Sequence, residues 1–213
     1  MIKPFLIIQY PYESIDLALC SQTNILQQKK IDKIEAIELL IPTIDELLAN
    51  HDLTLKDLSC ISVNRGPGPY NTLRSIIATI NGLRFTHKIP FIELEALPLL
   101  LKAYNEPTVG LLNAFSKRVY YGIKIEDKVT QGICSVADIP AVLEKYNLSQ
   151  KKIACVGNGT VTYKDELATL TPHLEISQTA PLFNDLQTAV TETYNLLQAD
   201  KCITSFTSPL YFT

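Results

Sequence analysis

Short apolar runs alternate with segments of helical periodicity along the first half of this chain. Apolar runs and period-two alternation predict strands, whereas apolar residues spaced three and four apart predict helices. The predicted strands are 5–8, 15–19, 24–30, 60–63 and 91–93, and the predicted helices are 33–50, 72–86 and 94–104. Pro42 interrupts the first helix and predicts a kink or a later start there. The first half therefore follows the order β-β-β-α-β-α-β-α.

The second half repeats this order of elements. Its predicted strands are 108–112, 119–125, 129–133, 153–156 and 174–176, and its predicted helices are 138–146, 160–167 and 182–197. The Asn105-Glu106-Pro107 stretch is the expected boundary, which gives one subdomain at 1–105 and another at 106–213. Residues 204–213 show no helical period and are expected to pack back as an extended segment.

Composition and charge narrow the classes of function. The 213 residues carry a net charge of −3, which disfavours an autonomous nucleic-acid binder because such a protein needs a basic surface. The five cysteines form no C-x-x-C pair, which is typical of buried thiols in a reducing cytoplasm. No apolar run approaches the roughly 20 residues that span a bilayer, so no membrane segment is expected.

A glycine- and proline-rich turn at 64–74 joins the strand at 60–63 to the next helix. Helix starts can bind anions, but this segment has neither the Gly-Lys-Ser/Thr ending of a P-loop nor the G-x-G-x-x-G spacing. A rigid turn that aims the helix is therefore the favoured interpretation, with Asn71 as its N-cap. The residues of this structural turn are Arg65, Gly66, Pro67 and Gly68.

Catalytic and metal-binding signatures are weak. His51, His87 and His173 lie far apart in sequence, so no paired-histidine metal site is expected. A G-x-S-x-G elbow is missing, although the sequence leaves a Cys–His pair open. Glu93 and Glu95 stand near a strand end but have no partner signature, so a solvated pair is favoured. We expect no catalytic residue, metal or cofactor.

Two helix faces are the favoured interaction surface. On the 72–86 helix, small residues recur at Asn71, Ser75, Ala78 and Gly82, opposite the apolar stripe. Such a face allows close approach of another helix, although packing within the chain is the alternative. The apolar stripe of the preceding helix, 33–50, is wider than packing against a core requires. The predicted interface comprises Ala36, Leu39, Leu40, Asn71, Arg74, Ser75, Ala78, Thr79 and Gly82.

A doubled β-β-β-α-β-α-β-α order is the architecture of the actin-like, ribonuclease-H-like proteins, with mixed sheets flanked by helices. Several motifs make the resemblance more specific. They are the turn at 64–74, Val119-Tyr120-Tyr121, Gly157-Asn158-Gly159 and Pro209-Leu210-Tyr211. On these residues the chain resembles the TsaB (YeaZ) family.

The resemblance implies a non-catalytic subunit without a cofactor. TsaB-like proteins bind and organise a TsaD-like enzyme, which puts a threonylcarbamoyl group on the adenosine beside the anticodon of tRNA. A TsaE-like ATPase joins the larger complex. The two helices described above are the family's docking elements, either for TsaD or for a second TsaB. Contact with tRNA is then expected to be indirect.

Departures from the family pattern keep two alternatives open. Gln9-Tyr10-Pro11 stands where relatives carry Asp-Thr-Ser, so a magnesium-nucleotide site is expected to be missing. The first helix start lacks the histidine of many relatives, and Asn113-Ala114-Phe115-Ser116 lacks two arginines of their turn. The alternatives are a degenerate actin-like ATPase or phosphotransferase, and a stand-alone homodimer with a drifted role.

Overall fold

The computed structural model describes residues 3–176 and 182–212. Its strands are β1 (Phe5–Gln9), β2 (Ser14–Ser21), β3 (Asn24–Asp32), β4 (Ile61–Asn64), β5 (Phe91–Leu94), β6 (Thr108–Asn113), β7 (Arg118–Ile125), β8 (Lys128–Ser135), β9 (Ile153–Val156) and β10 (Leu174–Ile176). Its helices are α1 (Ala36–Ala49), α2 (Tyr70–His87), α3 (Ala96–Leu101), α4 (Ile139–Lys145), α5 (Asn158–Thr162), α6 (Lys164–Leu170) and α7 (Leu186–Gln198). The predicted element order is confirmed, and only the helix at 160–167 is divided in two.

The first compact unit contains a five-stranded mixed sheet in the order β3-β2-β1-β4-β5. β1 runs antiparallel to β2 and parallel to β4, and β4 runs parallel to β5. All residues of β1 and β4 are buried, which explains their near-continuous apolar character. Side chains of α1 and α2 join these strands in one core, which includes Leu47 and Ile80.

The second compact unit repeats this plan with the sheet order β10-β9-β6-β7-β8. β6 is antiparallel to β7 and parallel to β9, and β9 is parallel to β10. Its core draws on β6, β7 and β9, and on the helices α4 and α6. The described strands thus form two sheets of matching order, which is the duplicated actin-like arrangement.

The contacts divide the chain differently from the predicted 1–105 and 106–213 subdomains. The first unit takes in residues up to Glu95 and also Asp185–Leu210, and the second holds Ala96–Asn184. The helix α7 belongs to the first unit because Thr193 is fully buried there and shares a 2.8 Å hydrogen bond with Ser62 on β4. Residues 1–2 and 177–181, and Thr213 of the predicted tail, lie outside the described residues.

Replacing Gly157 and replacing Gly82 are expected to change stability in opposite directions, because only Gly157 requires a glycine. Gly157 has φ +99°, and an added Cβ would lie 2.4 Å from the Leu111 carbonyl oxygen, whereas nothing lies within 4 Å of a Cβ at Gly82. Gly157→Ala is therefore expected to lower the free energy of unfolding by roughly 2–4 kcal/mol. Gly82→Ala is expected to raise it by about 0.5–1 kcal/mol, since alanine favours a helix. Urea denaturation of both variants checks the two signs, and equal destabilisation would contradict this account.

Candidate partner interface

The helix α1 buries one apolar stripe and exposes another. Ala36 and Leu40 are 0% and 1% exposed and lie in the core, so their prediction as partner-contacting residues is wrong. Leu39 is half-buried and packs against the same core. The exposed apolar residues are instead Ile34, Ile37 and Ile41, at 89%, 63% and 51%. The helix is thus rotated relative to the interpretation of its sequence, and three isoleucines face outward.

The outward face of α2 consists of small residues. Asn71, Ala78 and Gly82 are exposed, while Ser75 and Thr79 are half-buried, so this face is not packed within the described chain. Phe85 is 73% exposed at the C-terminal end of the helix, and sequence reasoning missed it. The face from Asn71 to Phe85, together with Ile34, which precedes α1, and Ile37 and Ile41 of α1, is called the α1–α2 surface below.

Hydroxyl groups on α2 are satisfied by the helix itself. The Ser75 hydroxyl donates to the Asn71 carbonyl at 3.2 Å, and the Thr79 hydroxyl donates to the Ser75 carbonyl at 2.9 Å. Thr86 donates to the Leu83 carbonyl at 2.9 Å. Because these hydroxyl groups already donate to carbonyls of the helix, a partner helix that covered them would not need to supply acceptors for them.

Arg74 and Asn71 lie at the N-terminal end of the α1–α2 surface. The Arg74 guanidinium stands 5.0 Å from the Tyr70 ring centroid and donates to its hydroxyl at 3.3 Å, while both side chains stay exposed. The prediction of Asn71 as N-cap is wrong, because the helix begins at Tyr70 with Pro69 in the capping position. Asn71 therefore keeps an exposed side chain inside the first turn.

A groove of about 390 Å³ opens between α1, α2 and the turn that follows α1. Apolar side chains form its walls, including Ile41 of the α1–α2 surface and Leu83 of α2, with Asp45 and His87 among the polar groups. A groove of this size accepts one large apolar side chain. Its lining residues are Ile41, Ile44, Asp45, Leu48, Leu53, Thr54, Leu55, Lys56, Leu83 and His87.

The glycine- and proline-rich turn fixes the start of α2. Gly66 has φ +106°, which favours glycine, and a Cβ there would lie 2.8 Å from the Leu73 side chain, so that side chain would have to move. Its N–H donates to the buried Asn64 side-chain oxygen at 3.1 Å. The turn then continues through a cis Gly66–Pro67 bond and Gly68. These contacts lie within the turn and its flanking elements.

Arg65 of this turn connects the ends of two strands. Its Nη2 donates to the Glu95 carboxylate at 2.6 Å, and its Nε lies 3.6 Å from a Glu93 oxygen. All three side chains are roughly three-quarters buried, with 23–28% of their area exposed. Glu93 also accepts a 2.6 Å hydrogen bond from the Thr207 hydroxyl. The expectation of a solvated carboxylate pair is therefore wrong, because Arg65 pairs with both groups.

Residues 203–210, called the C-terminal strap, hold α2 from the opposite side. Ile203 pairs with Phe91 through two backbone hydrogen bonds of 2.7 and 2.9 Å at the free edge of β5. The Asn81 side chain donates to the Thr207 carbonyl at 2.9 Å and accepts from the Thr207 N–H at 3.1 Å. The Leu210 N–H donates to the Arg65 carbonyl at 2.9 Å, so the strap reaches from the sheet edge to the turn.

The cysteine environment argues against nucleophilic catalysis. Burial raises the pKa of the Cys20 and Cys60 thiols to about 12, and it raises that of Cys155 to the same value. Burial likewise raises the pKa of Cys134 to about 11, and it also raises the pKa of Cys202. These thiols therefore stay protonated at neutral pH and are poor nucleophiles. Among the described residues, no group of three metal-ligating side chains comes together.

The duplicated sheets and their connections define the actin-like ATPase fold. A Bacteroides thetaiotaomicron protein with this fold superposes with a TM-score of 0.53 at 8% identity, covering 90% of this chain and 96% of the other. YeaZ from Pseudomonas aeruginosa gives a TM-score of 0.71 at 17% identity over 99% of this chain and 100% of that one. A P. aeruginosa protein described as similar to peptidase YeaZ gives 0.75 at 17% identity, with both chains covered completely.

Sequence comparison gives the family. The family described as TsaD: tRNA N6-adenosine threonylcarbamoyltransferase matches residues 30–199. The chain belongs to this family, and its curated relatives are named TsaB.

Two curated relatives are named tRNA threonylcarbamoyladenosine biosynthesis protein TsaB. The protein of Buchnera aphidicola subsp. Schizaphis graminum is 26% identical over 136 residues, which is 60% of this chain and 65% of the relative. The Haemophilus influenzae protein is 30% identical over 95 residues, which is 42% of this chain and 40% of the relative. The matches thus span less than two thirds of each relative's length. No helix among the described residues has the length and apolar character needed to cross a membrane.

Asn81 tests the role of the C-terminal strap. Asn81→Ala would leave the buried Thr207 N–H and carbonyl without their partners, so the free energy of unfolding should fall by about 1–3 kcal/mol. Hydrogen exchange should also quicken along α2 and 203–210. Asn71→Ala on the exposed face of the same helix is the matched control and should leave stability within about 0.5 kcal/mol. An Asn81 variant as stable as this control would contradict an anchoring role for the strap.

Proposed function

We propose that this chain is a non-catalytic subunit of tRNA threonylcarbamoyladenosine biosynthesis. It would bind and organise a TsaD-like enzyme that modifies the adenosine beside the anticodon, with a TsaE-like ATPase in the larger complex. The names of its curated relatives support the pathway, and the family match supports a TsaD-like partner. This work would take place in the cytoplasm, where tRNA is modified, and the chain would require no cofactor.

The observation that carries the docking proposal is the uncovered α1–α2 surface. Ile34, Ile37 and Ile41 each keep more than half of their area exposed, and Ala78 and Gly82 are exposed on α2, so another helix pair could cover both sets of residues. Covering apolar area contributes about 25 cal/mol per Å². Exposed apolar patches that adjoin a groove commonly mark protein interfaces. A second copy of the chain could use the same surface, which makes a homodimer a competing state.

The end of β1 supports a non-catalytic role. Gln9 ends β1 and Tyr10 follows it, at the place where a carboxylate would hold magnesium, and the two residues are 2% and 4% exposed. Pro11 cannot donate a backbone N–H to a phosphate. The chain would therefore contribute surface and geometry to the complex, while its partner contributes the chemistry.

Gly82→Arg tests the docking surface directly. Nothing lies within 4 Å of a Cβ at Gly82, so the variant should fold, yet its side chain would obstruct an approaching helix. Size-exclusion chromatography with light scattering should show a one-to-one complex of the wild-type chain with TsaD from the same source. Gly82→Arg should weaken this complex by at least about 2 kcal/mol, roughly thirtyfold. Ala168→Arg, at an exposed small residue of α6, is the control and should bind normally.

Substitutions at the neighbouring residues Ala36 and Ile37 test which face of α1 is buried. Ile37→Glu places a charge on an exposed position, so it should change stability by less than about 0.5 kcal/mol while weakening the complex. Ala36→Glu would bury an unpaired carboxylate and should unfold the chain in a thermal melt. If Ile37→Glu leaves binding to TsaD intact, the isoleucines of α1 are not part of the interface.

A further inference from the structure

The hairpin turn between β6 and β7 has an uncommon backbone. Phe115, Ser116 and Lys117 follow one another with φ values of 61°, 50° and 58°, so three consecutive residues are left-handed. Left-handed backbone costs an L-residue other than glycine roughly 1–2 kcal/mol, and Asn or Gly usually occupies such positions. Strained backbone of this kind persists where surrounding contacts impose it, and it concentrates at functional sites.

A hydrogen-bond network at the base of the turn imposes this conformation. The Asn113 side-chain oxygen accepts from the Phe115 N–H at 2.8 Å and from the Tyr163 hydroxyl at 3.1 Å. The Asn113 N–H donates to the Asn158 side chain at 2.9 Å. The Val136 N–H donates to the Lys117 carbonyl at 2.9 Å, which attaches the far side of the turn to the segment after β8. The turn is therefore held from both sides.

The turn between β6 and β7 exposes an aromatic ring and two basic side chains. Phe115 is 52% exposed, and Lys117 and Arg118 are also exposed. Neither cation forms a salt bridge with another described residue. Asp138, which lies two residues after the Val136 that bonds to Lys117, accepts a 2.7 Å hydrogen bond from Ser135. A ring beside two unpaired cations matches the chemistry by which proteins bind single-stranded nucleic acid, through base stacking and phosphate neutralisation.

We propose that the tip of the β6–β7 hairpin contacts the tRNA substrate, with Phe115 stacking on an unpaired base and Lys117 and Arg118 meeting phosphates. This inference rests on the proposed role in tRNA modification. Because the whole chain carries a net charge of −3, the isolated chain should bind tRNA at the weak end of non-specific affinity, with a Kd of roughly 0.01–0.1 mM, and the contact adds to the affinity of the assembled complex.

The first measurement is fluorescence anisotropy of a labelled, unmodified tRNA transcript, titrated with the full chain up to about 0.1 mM at several salt concentrations. Phe115→Ala should weaken binding about tenfold, and Phe115→Tyr should restore it because the ring still stacks. Lys117→Gln with Arg118→Gln should weaken binding and reduce the slope of log K against log salt by about 1.5. Lys151→Gln with Lys152→Gln, just before β9 and thus at the end of the strands opposite the β6–β7 turn, should change neither quantity.

The outcomes separate this inference from the docking proposal. Wild-type binding that is undetectable at about 0.1 mM, or equal losses in the turn and Lys151/Lys152 variants, overturns the tRNA contact. Turn variants that lose affinity for TsaD while binding tRNA normally also overturn it, since the turn would then be a protein contact. A chain that binds tRNA through this turn but forms no complex with TsaD supports the contact and refutes the docking proposal.

Discussion

The close packing at Gly66 is the constraint on which the position of α2 depends. Gly66 has φ +106°, which side chains other than glycine rarely adopt, and an added Cβ would lie 2.8 Å from the Leu73 side chain of α2. The strap reinforces this geometry because Leu210 donates to the adjacent Arg65 carbonyl and Thr207 holds Asn81 further along the helix. The helix is thus fixed near its start and along its length by contacts on its inner side. These inner contacts hold α2 in place although its outer face is uncovered.

The sequence was sufficient to predict the order of elements and the fold class. Most buried strands are short apolar runs, and the long helices repeat apolar residues at three and four, so local pattern determines their element type. The orientation of α1 was not predictable in this way. Its apolar residues occupy two adjacent stripes, one with Ala36 and Leu40 and another with Ile37 and Ile41. Polarity cannot show which stripe meets the sheet when both are apolar.

Long-range contacts explain the other errors. The predicted division at residue 105 assumed that sequence neighbours share a subdomain, yet Thr193 is buried against Ser62, 131 residues away. Glu93 and Glu95 resembled solvated side chains because Arg65 is nearly 30 positions distant in sequence. The capping role assigned to Asn71 failed for a local reason. Pro69 occupies the capping position and α2 begins at Tyr70, two residues earlier than predicted.

The uncovered surface also has a consequence for assembly. If a second copy and a TsaD-like partner use the same isoleucines and the same Gly82 face, one chain cannot bind both at once. The two complexes then compete by mass action, and the homodimer lowers the concentration of chain available to the enzyme. In a symmetric dimer, each α1–α2 surface packs against the same surface of the second copy. A heterodimer can form additional contacts that this two-fold symmetry does not allow. The heterodimer can therefore displace the homodimer without any change in the fold of this chain.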